Sequence, residues 1–141
     1  NDLNNTSIAL QYHYISNNAA ELGAKDQLLR APEQTEYNQI HESYHPTIHQ
    51  YQQQFGYYDI FLVDPNTGVI VYSVFKELDY ATSLKDGSYA NSGIGVAFKK
   101  ALSAIDKLQE EVDAIDAAAQ QTRFDFAQNY LYNFLMLIFP L

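Results

Sequence analysis

Residues 57–80 read YYDIFLVDPNTGVIVYSVFKELDY. Two runs rich in aromatic and β-branched side chains flank Pro65-Asn66-Thr67-Gly68, whose turn chemistry predicts a β-hairpin. With those four residues as the loop, Asp64 lies opposite Val69 and the register follows back along both strands. One face then carries Tyr57, Asp59, Phe61 and Val63 with Ile70, Tyr72, Val74 and Lys76; the other carries Tyr58, Ile60 and Leu62 with Val69, Val71, Ser73 and Phe75. A slip of one residue would invert every side chain, so the assignment depends on loop length. The second face is the drier and is expected to pack on helices. The first gathers an acid, a base and two phenols, and is expected to face a ligand.

Upstream, TSIALQYHYIS (residues 6–16) predicts a short helix, and NNAAELGAKDQLLRAPEQ that follows reads as a loop with a turn of helix at most. Tyr37, Ile40 and Tyr44 share a face at spacings of three and four, which predicts a helix over about 33–44. Pro46 disfavours helical geometry at His45 and predicts a kink or restart there, with a third helix from Pro46 to the stop at Gly56. Downstream, residues 77–93 form a polar loop anchored by Tyr80 and Tyr89. Phe98, Leu102, Ile105, Leu108, Val112, Ile115 and Ala119 then recur at helical spacing, predicting an amphipathic helix packed on the sheet. The apolar tail YLYNFLMLIFPL is shorter than the ~20 residues a membrane span needs and reads as a buried strand.

Composition bounds the function. The 141 residues include 17 acidic and 8 basic side chains, a net charge of −9 that repels phosphate backbones and excludes nucleic acid as a partner. Without cysteine there is no disulfide, thiolate metal site or thiol nucleophile. Twelve tyrosines and eight phenylalanines without tryptophan suit half-polar cavities as well as half-buried strands. The first residue is Asn, and the chain reads as a processed or excised piece, truncated at one or both ends.

Three constellations carry chemistry. HESYH (41–45) matches the letters H-E-x-x-H, which would make His41, Glu42 and His45 a zinc-hydrolase set. Pro46 counts against it by pushing His45 out of the helix and separating it from His49, so the preferred reading is that these histidines cap and pack a helix junction. Ser73 lies mid-strand outside any G-x-S-x-G elbow, and Gly93 and Gly95 lack the third glycine of a phosphate loop. Asp59 and Lys76 are diagonal across the hairpin, either a rim ion pair or the polar floor of a pocket to which Tyr57 and Tyr72 add hydroxyls.

The run HESYHPTIHQYQQQFGYYDIFLVD, followed by GVIVYSVFKELDYATSLKDGSYANSGIGVAF, resembles the extracytoplasmic sensor region of bacterial methyl-accepting chemotaxis proteins, of the single PAS-like (Cache) kind. The resemblance spans about Leu10 to Phe98 and explains His41, Tyr44, His45 and Pro46 as an H-x-x-Y-H-P helix junction. It implies an α+β domain with N-terminal helices (about 1–56) packed on one face of an antiparallel sheet, the sheet and its helix occupying about 57–141. It further implies a non-enzymatic, cofactor-free periplasmic input domain of an inner-membrane receptor, homodimeric in full length, that senses a small metabolite. Sensor domains of histidine kinases or cyclic-nucleotide enzymes are the near alternative. The residues expected to meet the ligand are Tyr57, Asp59, Phe61, Tyr72 and Lys76, closed over by Tyr80 and Tyr89, with no metal or catalytic residue; an amino acid, small carboxylate or amine would fit. Two departures stand beside the likeness: SAIDKLQEEVDAIDAAAQQTRFDF is longer and more helical than the family implies, and a further strand is expected beyond Leu141, whose absence would leave an exposed sheet edge.

Overall fold

The computed structural model describes residues 3–138, with side chains to residue 129. The fold is α+β: three α-helices and a two-stranded antiparallel sheet. Its backbone divides into two compact units, Asn1–Lys99 and Lys100–Leu141, where the sequence reading takes the whole chain as one domain.

In the first unit, α1 (Asn5–Gln11) opens with Asn4, whose side chain accepts from the Ser7 amide at 2.8 Å. It passes into five residues of π-helix, Tyr12–Ser16, which deliver Tyr14 to the core. A 3₁₀ turn, Lys25–Gln27, interrupts the loop that follows. Helix α2 (Glu36–Phe55) is capped by the Thr35 hydroxyl and ends at Gly56 in the left-handed region (φ 67°). There the Gly56 amide reaches the Gln53 carbonyl (3.3 Å) and the Tyr57 amide reaches that of Gln52 (3.1 Å).

Helix α2 corrects the expected break at His45-Pro46: it runs unbroken through Pro46. A proline inside a helix removes one amide donor and costs about 3 kcal/mol. Tertiary contacts offset this cost, because Asn38, His41, His45 and Gln52 form one buried face and both histidines bond carbonyls of the preceding loop.

Strands β1 (Phe61–Val63) and β2 (Ile70–Ser73) form the predicted hairpin. Asp64 and Val69 close it as expected (N to O 3.0 Å); the Asp64 carboxylate accepts from the Asn66 amide and Thr67 hydroxyl, and Gly68 takes φ 73°. Val63 faces Ile70, but Leu62 faces Tyr72 and Phe61 faces Ser73. Val71 is therefore an extra residue, a β-bulge that shifts the register by one beyond it.

The expected sidedness is reversed. Ile70, Tyr72, Val74 and Lys76 are buried, while Leu62 and Val71 of the supposedly dry face are exposed. Helix α2 and the π-helical segment cover Tyr72 and Lys76, which find partners there in His45 and Tyr14. Residues 81–84 line the far edge of β2: Ile70 and Thr82 share a bond (3.0 Å), Ala81 donates to Ile70, and Leu84 donates to Gly68. Tyr14, Ala31, Ile70, Tyr80, Ala81 and Leu84 make the core, with Phe61, Tyr89, Ile94 and Phe98 packed against it.

Helix α3 (Gly93–Ile138) is one continuous helix of 46 residues. It overturns the expected strand in the tail up to residue 138; residues 139–141 of that prediction lie outside the described range. The start of the stripe predicted to pack on the sheet lies in the first unit and joins its core. Ile94 and Phe98 reach the core, whereas Ile105, Leu108, Val112 and Ile115 are exposed. Among the described residues, no helix is long and apolar enough to cross a membrane.

Candidate functional site

The first unit buries an unusual set of polar groups around Lys76. This residue, three positions past the end of β2, takes the left-handed region (φ 53°), a conformation costly to any residue with a Cβ, and its side chain is fully buried. The ammonium donates to the carbonyls of Ser73 (3.0 Å) and Val74 (3.2 Å) and stands 5.1 Å from the Tyr72 ring and 5.6 Å from the Tyr14 ring. It enters none of the ion pairs among the described residues. Burial drives its pKa down from the ordinary lysine value to about 7, against the opposing pull of Asp59 and Asp26.

Helix α2 supplies the facing wall. His45 is fully buried, with Nε2 on the Asp26 carbonyl (2.5 Å) and Nδ1 on the Tyr72 hydroxyl (2.6 Å). A carbonyl only accepts, so Nε2 carries the proton and the Tyr72 O–H donates to Nδ1. His41 places Nδ1 on the Leu29 carbonyl (2.7 Å), so its Nε2 is a bare acceptor; that atom is buried and has no hydrogen-bond partner. Desolvation, followed by the charge of Lys76, depresses His41 to about 3 and His45 to about 4, so both are neutral near pH 7. Burial raises the phenols in turn: Tyr37 to about 12, and Tyr14, Tyr72 and Tyr80 upward as well.

A groove of about 440 Å³ opens onto this wall, lined by Tyr37, Ile40, His41, Tyr44, Ile48, Leu62, Val71 and Tyr72. Almost all of it is hydrocarbon. It suits the apolar body of a ligand with few hydrogen-bonding groups.

The predicted site residues are divided by the fold. Tyr72, Lys76 and Tyr80 join the inner cluster, where Tyr80 bonds Tyr37 hydroxyl to hydroxyl at 2.7 Å and Tyr37 donates to the Val71 carbonyl. Asp59 is half-buried and serves the backbone: it accepts from the Ser73 hydroxyl (2.7 Å) and from the amides of Val74 (2.8 Å) and Ile60 (2.6 Å). Phe61 and Tyr89 pack at the edge of the core. Tyr57 is 55% exposed and stacks on Phe55, away from the cluster. The bulge at Val71 and the helical cover explain this separation.

The residues missed are Tyr14, Tyr37 and Asn38. Tyr14 donates to Asn38 Oδ1 (2.9 Å), and Asn38 donates to the Glu33 carbonyl (2.8 Å). The signal in the sequence for Asn38 is a polar face of α2 at 38, 41, 45 and 52 that continues past Pro46. The case against zinc rests in the sequence on a break at Pro46, and here its physical reason changes. His41, His45 and His49 do share one face, stacked with centroids 4.5 and 5.6 Å apart. Parallel rings keep their nitrogens from converging, both nitrogens of His45 are engaged, and Glu42 faces Arg30 (3.0 Å). Among the described residues no group of three or more His, Cys, Asp or Glu is placed to hold a metal. No protein-family model matches the chain, and neither a curated protein nor a solved structure matches it.

Proposed function

We propose that this chain is the ligand-binding input domain of a transmembrane chemotaxis receptor, of the PAS-like Cache kind, sensing a small metabolite outside the cytoplasm. The observation that carries the reading is Lys76. A fully buried amine held in a strained backbone conformation, with no carboxylate paired to it, costs stability that a purely structural residue would not need. Beside it stand a bare imidazole acceptor on His41 and a groove that reaches His41 and Tyr72. A ligand carboxylate drawn to Lys76 would pair the amine, and an N–H or O–H elsewhere on the ligand, whose apolar body would lie in the groove, would donate to His41 Nε2. The ligand class is thus a small carboxylate or amino acid, and the protein acts without catalysis.

Signalling follows from packing. Lys76 and Tyr72 lie against α2, and the loop carrying Tyr80 and Tyr89 leads directly into α3 at Gly93. A ligand that binds one packing of this loop better than another shifts the population of the two and so moves the start of α3. In the full receptor, this reading places the domain on the periplasmic side of the inner membrane in a homodimer.

The test is a thermal-shift screen of carboxylates and amino acids on the chain and on Lys76→Met. A ligand at 100 times its Kd should stabilise by ~2.7 kcal/mol. Lys76→Met should abolish the shift with the circular dichroism spectrum intact. A ligand that stabilises both proteins equally sinks the reading. Asp59 is a poor test residue, since its carboxylate holds the end of β2.

A further inference from the structure

A second cleft in the first unit, separate from the groove beside His41, has the chemistry of a cation site. It encloses about 350 Å³ between Gly23, Gln52, Tyr57, Tyr58, Phe75 and Glu77. The three rings follow from the hairpin's sequence: Tyr57 and Tyr58 lead into β1, Phe75 follows β2, and the tilted rings of Tyr58 and Phe75 lie 6.0 Å apart. Glu77 is fixed among them, because the Tyr58 hydroxyl donates to both of its oxygens (2.9 and 3.0 Å). The charges acting on Tyr58 are all negative: Glu77, Asp59 and Asp79. Lys76, the neighbour in sequence, turns its ammonium the other way, onto Tyr14 and Tyr72.

Gln52 adds an independent observation. It is only 8% exposed, and its Nε2 donates to the carbonyls of Tyr57 (2.5 Å) and Tyr58 (3.4 Å). Two carbonyl partners fix which end of the amide is nitrogen. Its Oε1 is therefore an acceptor, and it is buried with no hydrogen-bond partner. A buried acceptor without a donor destabilises the fold, a penalty that a donor bound in the cleft would remove.

We propose that this cleft binds a small organic ammonium ion. Aromatic faces attract a cation within about 6 Å of their centroids, and the carboxylate beside them adds charge attraction. The free acceptor on Gln52 favours an ammonium that still carries an N–H over a fully alkylated one. The cleft's volume suits an ion of a few heavy atoms. This site does not depend on the role given to Lys76.

The experiment records amide shifts of the ¹⁵N-labelled 141-residue chain with N,N-dimethylethanolammonium, choline, and 3,3-dimethylbutan-1-ol, the uncharged isostere of choline, at matched ionic strength. Both ammonium ions should move the amides of Gly23, Tyr58, Phe75 and Glu77, with dimethylethanolammonium binding more tightly, and the alcohol should leave them in place. Glu77→Gln keeps an acceptor for Tyr58 but loses the charge, and should weaken binding roughly tenfold. Tyr57→Leu, at an exposed position, should weaken it less and leave the spectrum of the core unchanged. Equal shifts from the alcohol would reduce the cleft to an apolar patch, and silence from both ions at tens of millimolar, or full binding by Glu77→Gln, would overturn the proposal.

Discussion

The first 99 residues and the helical segment after Lys100 invert each other's usual economy. In the first unit polar and ionisable groups are buried: His41, His45, Asn38, Ser73 and Lys76 lie among tyrosines. In the second, Ile105, Leu108, Val112 and Ile115 stand exposed on α3, with Ile115 67% accessible. The first unit's stability therefore rests on hydrogen bonds that only one backbone arrangement satisfies and on the neutrality of its bases. The second owes its form to helix propensity and i,i+4 pairs such as Gln109 with Asp113 and Gln121 with Asp125 (2.8 Å each). One unit should respond sharply to protons and single substitutions, the other weakly to both.

Acid gives the largest contrast. The folded-state pKa values of His41 (about 3) and His45 (about 4) lie below the ordinary 6.5, so between those values and 6.5 the unfolded chain binds more protons. The stability this provides is complete above pH ~6.5 and is lost as pH falls through the folded values. At about 1.4 kcal/mol per pKa unit, falls of about 3.5 and 2.5 from that value make the loss by pH 3 on the order of 8 kcal/mol. Tyrosine near-ultraviolet dichroism should collapse in that window while much helical signal from α3 persists. Loss of both signals together at one pH would erase the distinction between the units. Lys76 acts at the other end with the same sign: its depressed pKa makes stability rise from about pH 7 toward 10.5, a slope that Lys76→Met should remove.

His45→Ala comes next. It leaves the Tyr72 hydroxyl and the Asp26 carbonyl without their partner and opens a cavity in a fully buried place. The expected cost is about 3–5 kcal/mol in urea unfolding of the first unit. A cost under about 1 kcal/mol would mean that the buried polar net is dispensable.

How much of this contrast the residues announce depends on the scale of the interaction that decides each feature. The hairpin, its Asp64–Val69 closure and the stop at Gly56 are local, set by Pro65-Asn66-Thr67-Gly68 and by one glycine in the left-handed region. They were legible. The bulge at Val71 has no local marker; it shifts the pairing by one residue, setting Leu62 opposite Tyr72 and Phe61 opposite Ser73. Pro46 misled because its cost is local while its compensation, His41 on Leu29 and His45 on Asp26, is tertiary. The tail looked strand-like because apolar runs carry no period; continuity with α3 decided it. Of the residues expected at the site, Tyr72 and Lys76 lie on the hairpin run and Tyr80 on the loop after it, and the fold brings these three into the inner cluster, whereas Tyr14 and Asn38 come from segments whose approach no spacing encodes.

Pro46→Ala probes the compensation directly. Alanine restores the amide donor to the Glu42 carbonyl and removes the ring from the middle of α2. The gain of helix stability is partly offset by the freer unfolded chain, which leaves a net stabilisation of about 1–2 kcal/mol. Pro46→Ala should leave the His41 and His45 contacts in place, seen as an unchanged acid midpoint shape displaced to lower pH. A destabilised variant would show instead that the proline sets the direction in which α2 presents its histidines.

The smallest effect is expected from Leu108→Ser on α3. Leu108 is exposed, and its stripe lies among Asp106, Glu110, Glu111 and Asp113, so removing it takes little apolar surface out of contact with anything. Serine is a slightly poorer helix former, which sets a loss of a few tenths of a kcal/mol or less. Thermal unfolding of the first unit should not move at all, since Ile94 and Phe98, not Leu108, join its core. A fall of about 1 kcal/mol or more in the first unit's stability would show that the exposed stripe is covered in solution. The contrast between a sealed polar interior and an open apolar helix would then hold only for the isolated chain.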